Sequence, residues 1–216
     1  MLAAPLDQPL SLPGACRRPP APTVRAARSD RELHRAAEEL LAALADCADF
    51  ARVRDQSWLL AESARLAERE GTIDRAATIA SYDRVGLCWA LCERMDTSWR
   101  HLDRGEPGEA VAAAGRAGEH LVELAGLLPH LPDLLERLRG RCLALWHIAD
   151  ALDEACFLDE CGDHAGARSR AELLLSQLEQ LNARRLLGPD EQETAEAAAS
   201  RWGARPTRAR SGSWAS

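Results

Sequence analysis

The chain has 216 residues, of which 46% are hydrophobic and 28% are charged, and these fractions are typical of a globular protein rather than a disordered one. A chain of this length forms one or two domains and buries about 70% of its unfolded surface, so it needs no metal or disulfide to stabilise a core. No run of about 18 apolar residues occurs, which excludes a membrane-spanning helix. The formal net charge is -7, with basic residues concentrated at both ends, and such an acidic body is a poor binder of nucleic acid.

The residue types favour helices over strands. Ala, Leu, Glu and Arg dominate, whereas the chain has only one Tyr and two Phe and few β-branched residues. The first group has high helix propensity, while aromatic and β-branched residues are enriched in strands. We therefore predict an all-α protein.

The N-terminal segment, residues 1–28, carries six Pro within its first 22 positions and lacks the unbroken apolar stretch of a secretory signal. It is expected to be a disordered leader rich in Pro, Ala and Arg. Because no export signal is recognised, the seven Cys are expected to be reduced thiols, and the expected location is the cytoplasm.

The first predicted helix opens with a capping box, in which Ser29 is the N-cap and Glu32 follows three residues later. A second helix is predicted from about Ser57 to Glu70, where Gly71 ends it and Thr72 caps the next helix. The apolar stripe assigned to the first helix consists of Leu33, Ala37, Leu40, Leu41, Leu44 and Phe50.

The same combination of a helix-ending glycine and a helix-starting residue recurs further along the chain. Gly105 is followed by Pro107 at a first helical position, and Gly162 is followed by Asp163 as an N-cap. Pro129 and Pro132 then break the chain. After them we predict a helix from about Asp133 to Glu160, another from about His164 to Leu186, and a short one that begins at residues 188–191.

The turn glycines have a regular spacing. Gly71 and Gly105 are 34 residues apart, and an Ala follows each turn glycine, including Gly162, by five residues. A 34-residue helix-turn-helix period is that of the tetratricopeptide repeat, and residues 57–181 resemble this family. The resemblance implies antiparallel helical hairpins stacked as an array. A closed antiparallel helical bundle is the alternative, and the periodicity does not separate the two.

The resemblance implies small residues where two helices pack closely, and it also shows departures from the repeat. The implied small positions are Ala64, Ser98 and Ala155 in the first helices and Ala76, Ala110 and Ala167 in the second helices. The departures are Ala80, Ala114 and Ala171 in place of a bulky aromatic residue, and Cys88, Val122 and Glu179 in place of the repeat-ending Pro. The third turn lies 57 residues after the second, rather than 34.

A partner-binding groove is predicted on the first helices of the aligned hairpins. Trp58 and Trp99 occupy positions that face the groove in the repeat family, and the alternative is that both are core residues. An aromatic pair with several Arg and an acidic end is suited to a protein or peptide segment. The predicted partner-binding residues are Trp58, Glu62, Arg65, Arg69, Met95, Trp99, Asp103, Asp153, Asp159 and Glu160. They predict a non-catalytic adaptor or regulatory module.

The alternative function is a helical bundle that senses metal or thiol redox state. Cys88 and Cys92 share one helix face, and Cys156, Cys161 and His164 bracket the third turn. The close Cys pairs of ordinary zinc sites are missing, so buried structural thiols are favoured and no metal site is predicted. No phosphate loop, nucleophile elbow or zinc-protease motif occurs, so neither an enzyme nor a cofactor is predicted.

The predicted organisation is a leader at 1–28, an all-helical domain at 29–187, and a short helix with a disordered basic tail at 188–216. The tail contains Trp202, Trp214 and several Arg. These Arg neutralise too few phosphates for tight binding, so only a weak contact with nucleic acid is expected there.

Overall fold

Seven α-helices make up nearly all of the described chain. The structure is a computed structural model that describes residues 29–46 and 50–204. It confirms the all-α prediction, because these residues form no strand. None of their helices is both long enough and apolar enough to cross a bilayer. The helices are α1 Asp30–Ala45, α2 Phe50–Arg69, α3 Arg75–Arg104, α4 Pro107–Leu127, α5 Pro132–Glu160, α6 His164–Ala183 and α7 Pro189–Ala199, followed by a 3-10 turn at Ser200–Trp202.

The predicted helix ends are largely confirmed. Ser29 Oγ accepts a hydrogen bond from the Glu32 amide at 3.3 Å, and Asp163 Oδ1 accepts one from the Gly166 amide at 2.9 Å. Each side chain satisfies an amide that has no partner within its helix. The turn glycines Gly71, Gly105 and Gly162 have φ values of 71°, 79° and 83°, the left-handed conformation that ends a helix.

Two local predictions were wrong. Asp74, rather than Thr72, caps α3, because its Oδ1 accepts the Ala77 amide at 2.7 Å. The Thr72 hydroxyl instead donates to the Ala67 carbonyl at 3.0 Å and so closes the end of α2. Phe50 was assigned to the stripe of the first helix, but it is the first residue of α2, which therefore begins seven residues before the predicted start at Ser57.

Helix α3 is a single helix of 30 residues. Gly71 and Gly105 lie at its two ends, so the 34-residue spacing measures one helix with its turn. The alignment with the repeat placed the end of a unit at Cys88, inside this helix. No Pro occurs between its ends, and the lone interior Gly86 weakens a helix without ending it.

Each helix packs against the next one in the chain, from α1 to α7. Additional contacts join α1 with α3 and α5, and α3 with α5 and α7, so the odd-numbered helices meet in the interior. Close packing relies on small residues, as at the α3–α4 contact, where the Ser98 hydroxyl donates to the Ala110 carbonyl at 2.9 Å. Of the six predicted small positions only Ala76 is exposed, because it lies in the first turn of α3.

Helix α7 packs on the body rather than projecting from it. It contacts α3, α5 and α6, and its Glu191 side chain is buried against the guanidinium of Arg141 from α5. Arg141 also donates to the carbonyls of Leu44 and Leu186 and lies over the Phe50 ring, with Cζ 5.1 Å from the centroid. One buried cation therefore joins the end of α1, the start of α2, α5 and α7. The predicted leader at 1–28 and the tail beyond residue 204, with Trp214, lie outside the described residues.

Candidate functional site

Four of the predicted binding residues lie on the outer side of α2. Trp58 is 59% exposed, and Glu62, Arg65 and Arg69 follow it at helical spacing. Glu62 and Arg65 form an ion pair at 2.8 Å. This side of α2 is accessible to a partner.

The predicted aromatic pair is not formed on one surface. Trp99 is 8% exposed and Met95 is fully buried, so both side chains belong to the core. Asp103 is exposed at the end of α3, where its carbonyl accepts a hydrogen bond from Arg201 at 2.9 Å. The structure therefore places Trp58 and Trp99 in different environments.

A second tryptophan, Trp89, lies on the same side of the α2–α3 pair as Trp58. The Ser57 hydroxyl donates to Cys88 Sγ at 3.5 Å, so these residues face each other across the antiparallel α2–α3 pair. The next residue along each helix turns to the same side of the pair, and these residues are Trp58 and Trp89, which are both exposed. The α2–α3 pair thus carries two indoles on one outer face.

The three predicted acidic residues lie in the second half of α5. Asp153 is exposed, and its Oδ1 would lie 3.2 Å from a Cβ atom at Gly108, next to the start of α4. Asp159 Oδ1 lies 2.6 Å from His164 Nδ1 across the turn. The Cys156 thiol donates to Glu160 at 3.7 Å. Asp153 therefore lies near α4, whereas Asp159 pairs with the first residue of α6.

A large apolar concavity among the described residues lies between α4 and α5. It is a groove of about 790 Å³, within the range of volumes found for binding pockets. We name this feature the α4–α5 groove. Its apolar lining includes Ala114, Gly115, Gly118, Leu121 and Val122 from α4, and Leu135, Leu143 and Trp146 from α5.

The groove exposes apolar side chains that a core would bury. Val122 is 75% exposed and Leu143 is 47% exposed, and they lie on opposite walls. Single exposed apolar residues are normal, but a continuous apolar patch with a concave floor indicates a binding surface.

Gly115 and Gly118 form an open part of the groove. Both lie in the interior of α4, where glycine costs about 0.5–1 kcal/mol relative to alanine. Neither has a positive φ, and a Cβ atom at either position would meet no atom within 4 Å. Helix geometry and packing therefore do not require glycine here. The residues break a local rule of helix stability without a structural gain, which is typical of a functional surface.

We expect Gly118→Ala to raise the free energy of unfolding by about 0.5–1 kcal/mol, because alanine has the higher helix propensity and its Cβ has open space. Urea denaturation followed by circular dichroism measures the change. As the matched control, Gly105→Ala should lower stability by about 1–2 kcal/mol, because Gly105 has a positive φ. A destabilised Gly118→Ala would contradict the open-groove geometry.

Three cysteines have buried side chains, and one of them, Cys142, also lines the α4–α5 groove. Cys88, Cys92 and Cys142 are buried, and burial raises the pKa of Cys142 to about 11. Burial also raises the pKa of Cys92, and the adjacent Cys88 thiol adds to that rise. The raised pKa values make Cys92 and Cys142 poor nucleophiles and poor metal ligands. The described residues contain no cluster of three or more His, Cys, Asp or Glu side chains suited to a metal ion.

Sequence reasoning did not find the α4–α5 groove. Its signal was the pair of glycines inside an Ala-rich helix, together with the outward position of Val122. Comparison with protein-family models, curated proteins and solved structures finds no match for this chain.

Proposed function

We propose that this protein is a non-catalytic adaptor or regulatory module that binds a helical segment of a partner protein in the α4–α5 groove. The observation that carries the proposal is the open apolar groove whose wall contains Gly115 and Gly118. An amphipathic helix inserts apolar side chains into such grooves, and the two glycines leave space on the α4 wall for its backbone to approach closely. The indole of Trp146 supplies an aromatic residue of the kind that dominates binding energy.

The lining favours binding over catalysis. Its ionisable side chains are Glu136, Arg139 and Cys142, and burial keeps the pKa of the Cys142 thiol near 11. Catalysis by proton transfer or nucleophilic attack needs groups whose pKa values are matched to the reaction. We propose the cytoplasm as the location, because unpaired cysteines such as Cys161 are typical of a reducing compartment.

Quantitative affinity purification from the source cell tests the proposal. We expect the wild-type chain to recover a defined partner and Gly118→Leu to lose it, because leucine fills the groove. Gly126→Leu is the matched control, since Gly126 lies on the same helix, is exposed, has open space around it and does not line the groove. Circular dichroism and urea denaturation establish that both variants are folded.

Trp58→Ala separates this site from the indole face of α2 and α3. The proposal predicts that Trp58→Ala recovers the partner as the wild type does. Recovery that survives Gly118→Leu contradicts the proposal, and so does a wild-type chain that recovers no partner. Loss with Trp58→Ala alone would place the binding surface on the α2–α3 pair.

A further inference from the structure

The face of α5 that lines the α4–α5 groove continues beyond it into two carboxylates. Arg139, Leu143 and Trp146 follow one another at helical spacing, and Asp150 and Asp153 continue the series. Asp150 lies one turn, about 6 Å, beyond Trp146 along the axis. The groove therefore has an apolar centre and an acidic end.

This acidic end is not neutralised within the described part of the chain. Asp150 and Asp153 form no ion pair there, whereas the neighbouring Glu154 pairs with Arg170 at 2.5 Å. Asp153 lies beside the start of α4, at Gly108, where the helix dipole favours a negative charge. The two carboxylates are therefore available to a partner at the rim of the groove.

The opposite end of the groove does not offset this charge. Arg139 lies 3.9 Å from Glu136, a loose pair of opposite charges that leaves no excess of either sign. Helices α4 and α5 together carry ten Asp and Glu residues but only four Arg, and one of these is the buried Arg141. A groove with this field attracts a positively charged partner and repels a negatively charged one.

We propose that the occupant of the α4–α5 groove is a basic amphipathic helix, with its apolar row on the groove and Arg or Lys side chains at the end that reaches Asp150 and Asp153. This inference rests on the proposed function, and it adds the chemistry and the orientation of the partner. The apolar row supplies burial, and the carboxylates select the charge and fix the direction of the helix.

Two labelled peptides of about 20 residues, long enough to span the groove as a helix, test the proposal. They share one Leu and Ala row and differ at one end, where one carries three Arg and the other three Glu. Fluorescence anisotropy with the full chain measures each Kd at low and high NaCl. We expect the Arg peptide to bind more tightly, and its advantage to shrink as salt screens the charges.

Three variants of the chain measure how much the two carboxylates, the net charge and the groove each contribute to peptide binding. Asp150→Asn with Asp153→Asn should weaken binding of the Arg peptide roughly three- to tenfold, with little effect on the Glu peptide. Glu70→Gln with Glu179→Gln is the matched control, because it changes the net charge equally at two exposed residues, one just after α2 and one in α6. This control should leave the Kd within about twofold of the wild type. Gly118→Leu should abolish binding of both peptides.

The outcomes separate the two proposals. Equal binding of both peptides that Gly118→Leu abolishes overturns the basic partner and leaves the groove function standing. Equal weakening by the two double variants also overturns it, because the attraction then comes from net charge alone. Binding that is unaffected by Gly118→Leu, or no binding of either peptide, counts against the groove function itself.

Discussion

Replacing Arg141 by alanine should lower the free energy of unfolding by about 3–5 kcal/mol. The guanidinium is buried and forms hydrogen bonds with the Leu44 and Leu186 carbonyls and with the Glu191 carboxylate. Its loss leaves a buried carboxylate without a counter-charge and two carbonyls without their donor. Removing one member of a buried ion pair is costly because the remaining charge is not solvated.

Urea denaturation followed by circular dichroism measures this loss. Arg139→Ala is the matched control, because Arg139 lies on the same helix with an exposed side chain and a loose ion pair at 3.9 Å. Its effect should stay below about 1 kcal/mol. Equal effects of Arg141→Ala and Arg139→Ala would show that the buried network does not stabilise the fold.

A double replacement tests whether the unpaired buried charge causes this loss of stability. The variant with Arg141→Met and Glu191→Leu removes both charges and keeps apolar volume, so it should be much less destabilised than Arg141→Ala. The Glu191 carboxylate also accepts the Gly188 amide at the start of α7, so part of the cost should remain. A double variant as unstable as Arg141→Ala would assign the loss to packing rather than to charge.

The sequence predicted the helices better than their contacts. Caps and turn glycines are local signals, so Ser29, Asp163 and Gly105 marked helix ends correctly. The spacing of 34 residues between Gly71 and Gly105 resembles that of a two-helix repeat, and in the structure it spans the single helix α3 with its turn. That spacing is equally compatible with one long helix and a short turn, and local propensity does not distinguish them.

Long-range pairs were beyond prediction from local pattern. Arg141 follows Arg137 and Arg139 in the chain, and such a run is typical of a solvated helix face. Arg141 is buried because the ends of α1, α2 and α7 converge on it, and Glu191 lies 50 positions away. The α4–α5 groove was missed for a related reason: it exists only once two helices are packed, and a glycine in a single sequence does not reveal the space around it.

The two tryptophans proposed as a pair are separated by burial. Helical spacing places Trp58 and Trp99 at equivalent positions of an alignment, but it does not determine which side of each helix meets the core. Trp99 lies on the buried side of α3 with Met95, whereas Trp58 is on the outer side of α2. Replacement of these two tryptophans by alanine should therefore change the free energy of unfolding by different amounts.

Trp99→Ala should lower the free energy of unfolding by about 3–5 kcal/mol, because it removes a large buried side chain and leaves a cavity. Trp58→Ala makes the same chemical change at an exposed site, so its effect should stay within about 0.5 kcal/mol. Urea denaturation of both variants under the same conditions measures the difference. Comparable losses for the two would contradict the burial of Trp99, and a larger loss for Trp58→Ala would place the α2 indole in the core. Because Trp58→Ala is expected to leave stability unchanged and Trp99 is not on the surface, Trp58→Ala is the variant that reports on binding through the indole face.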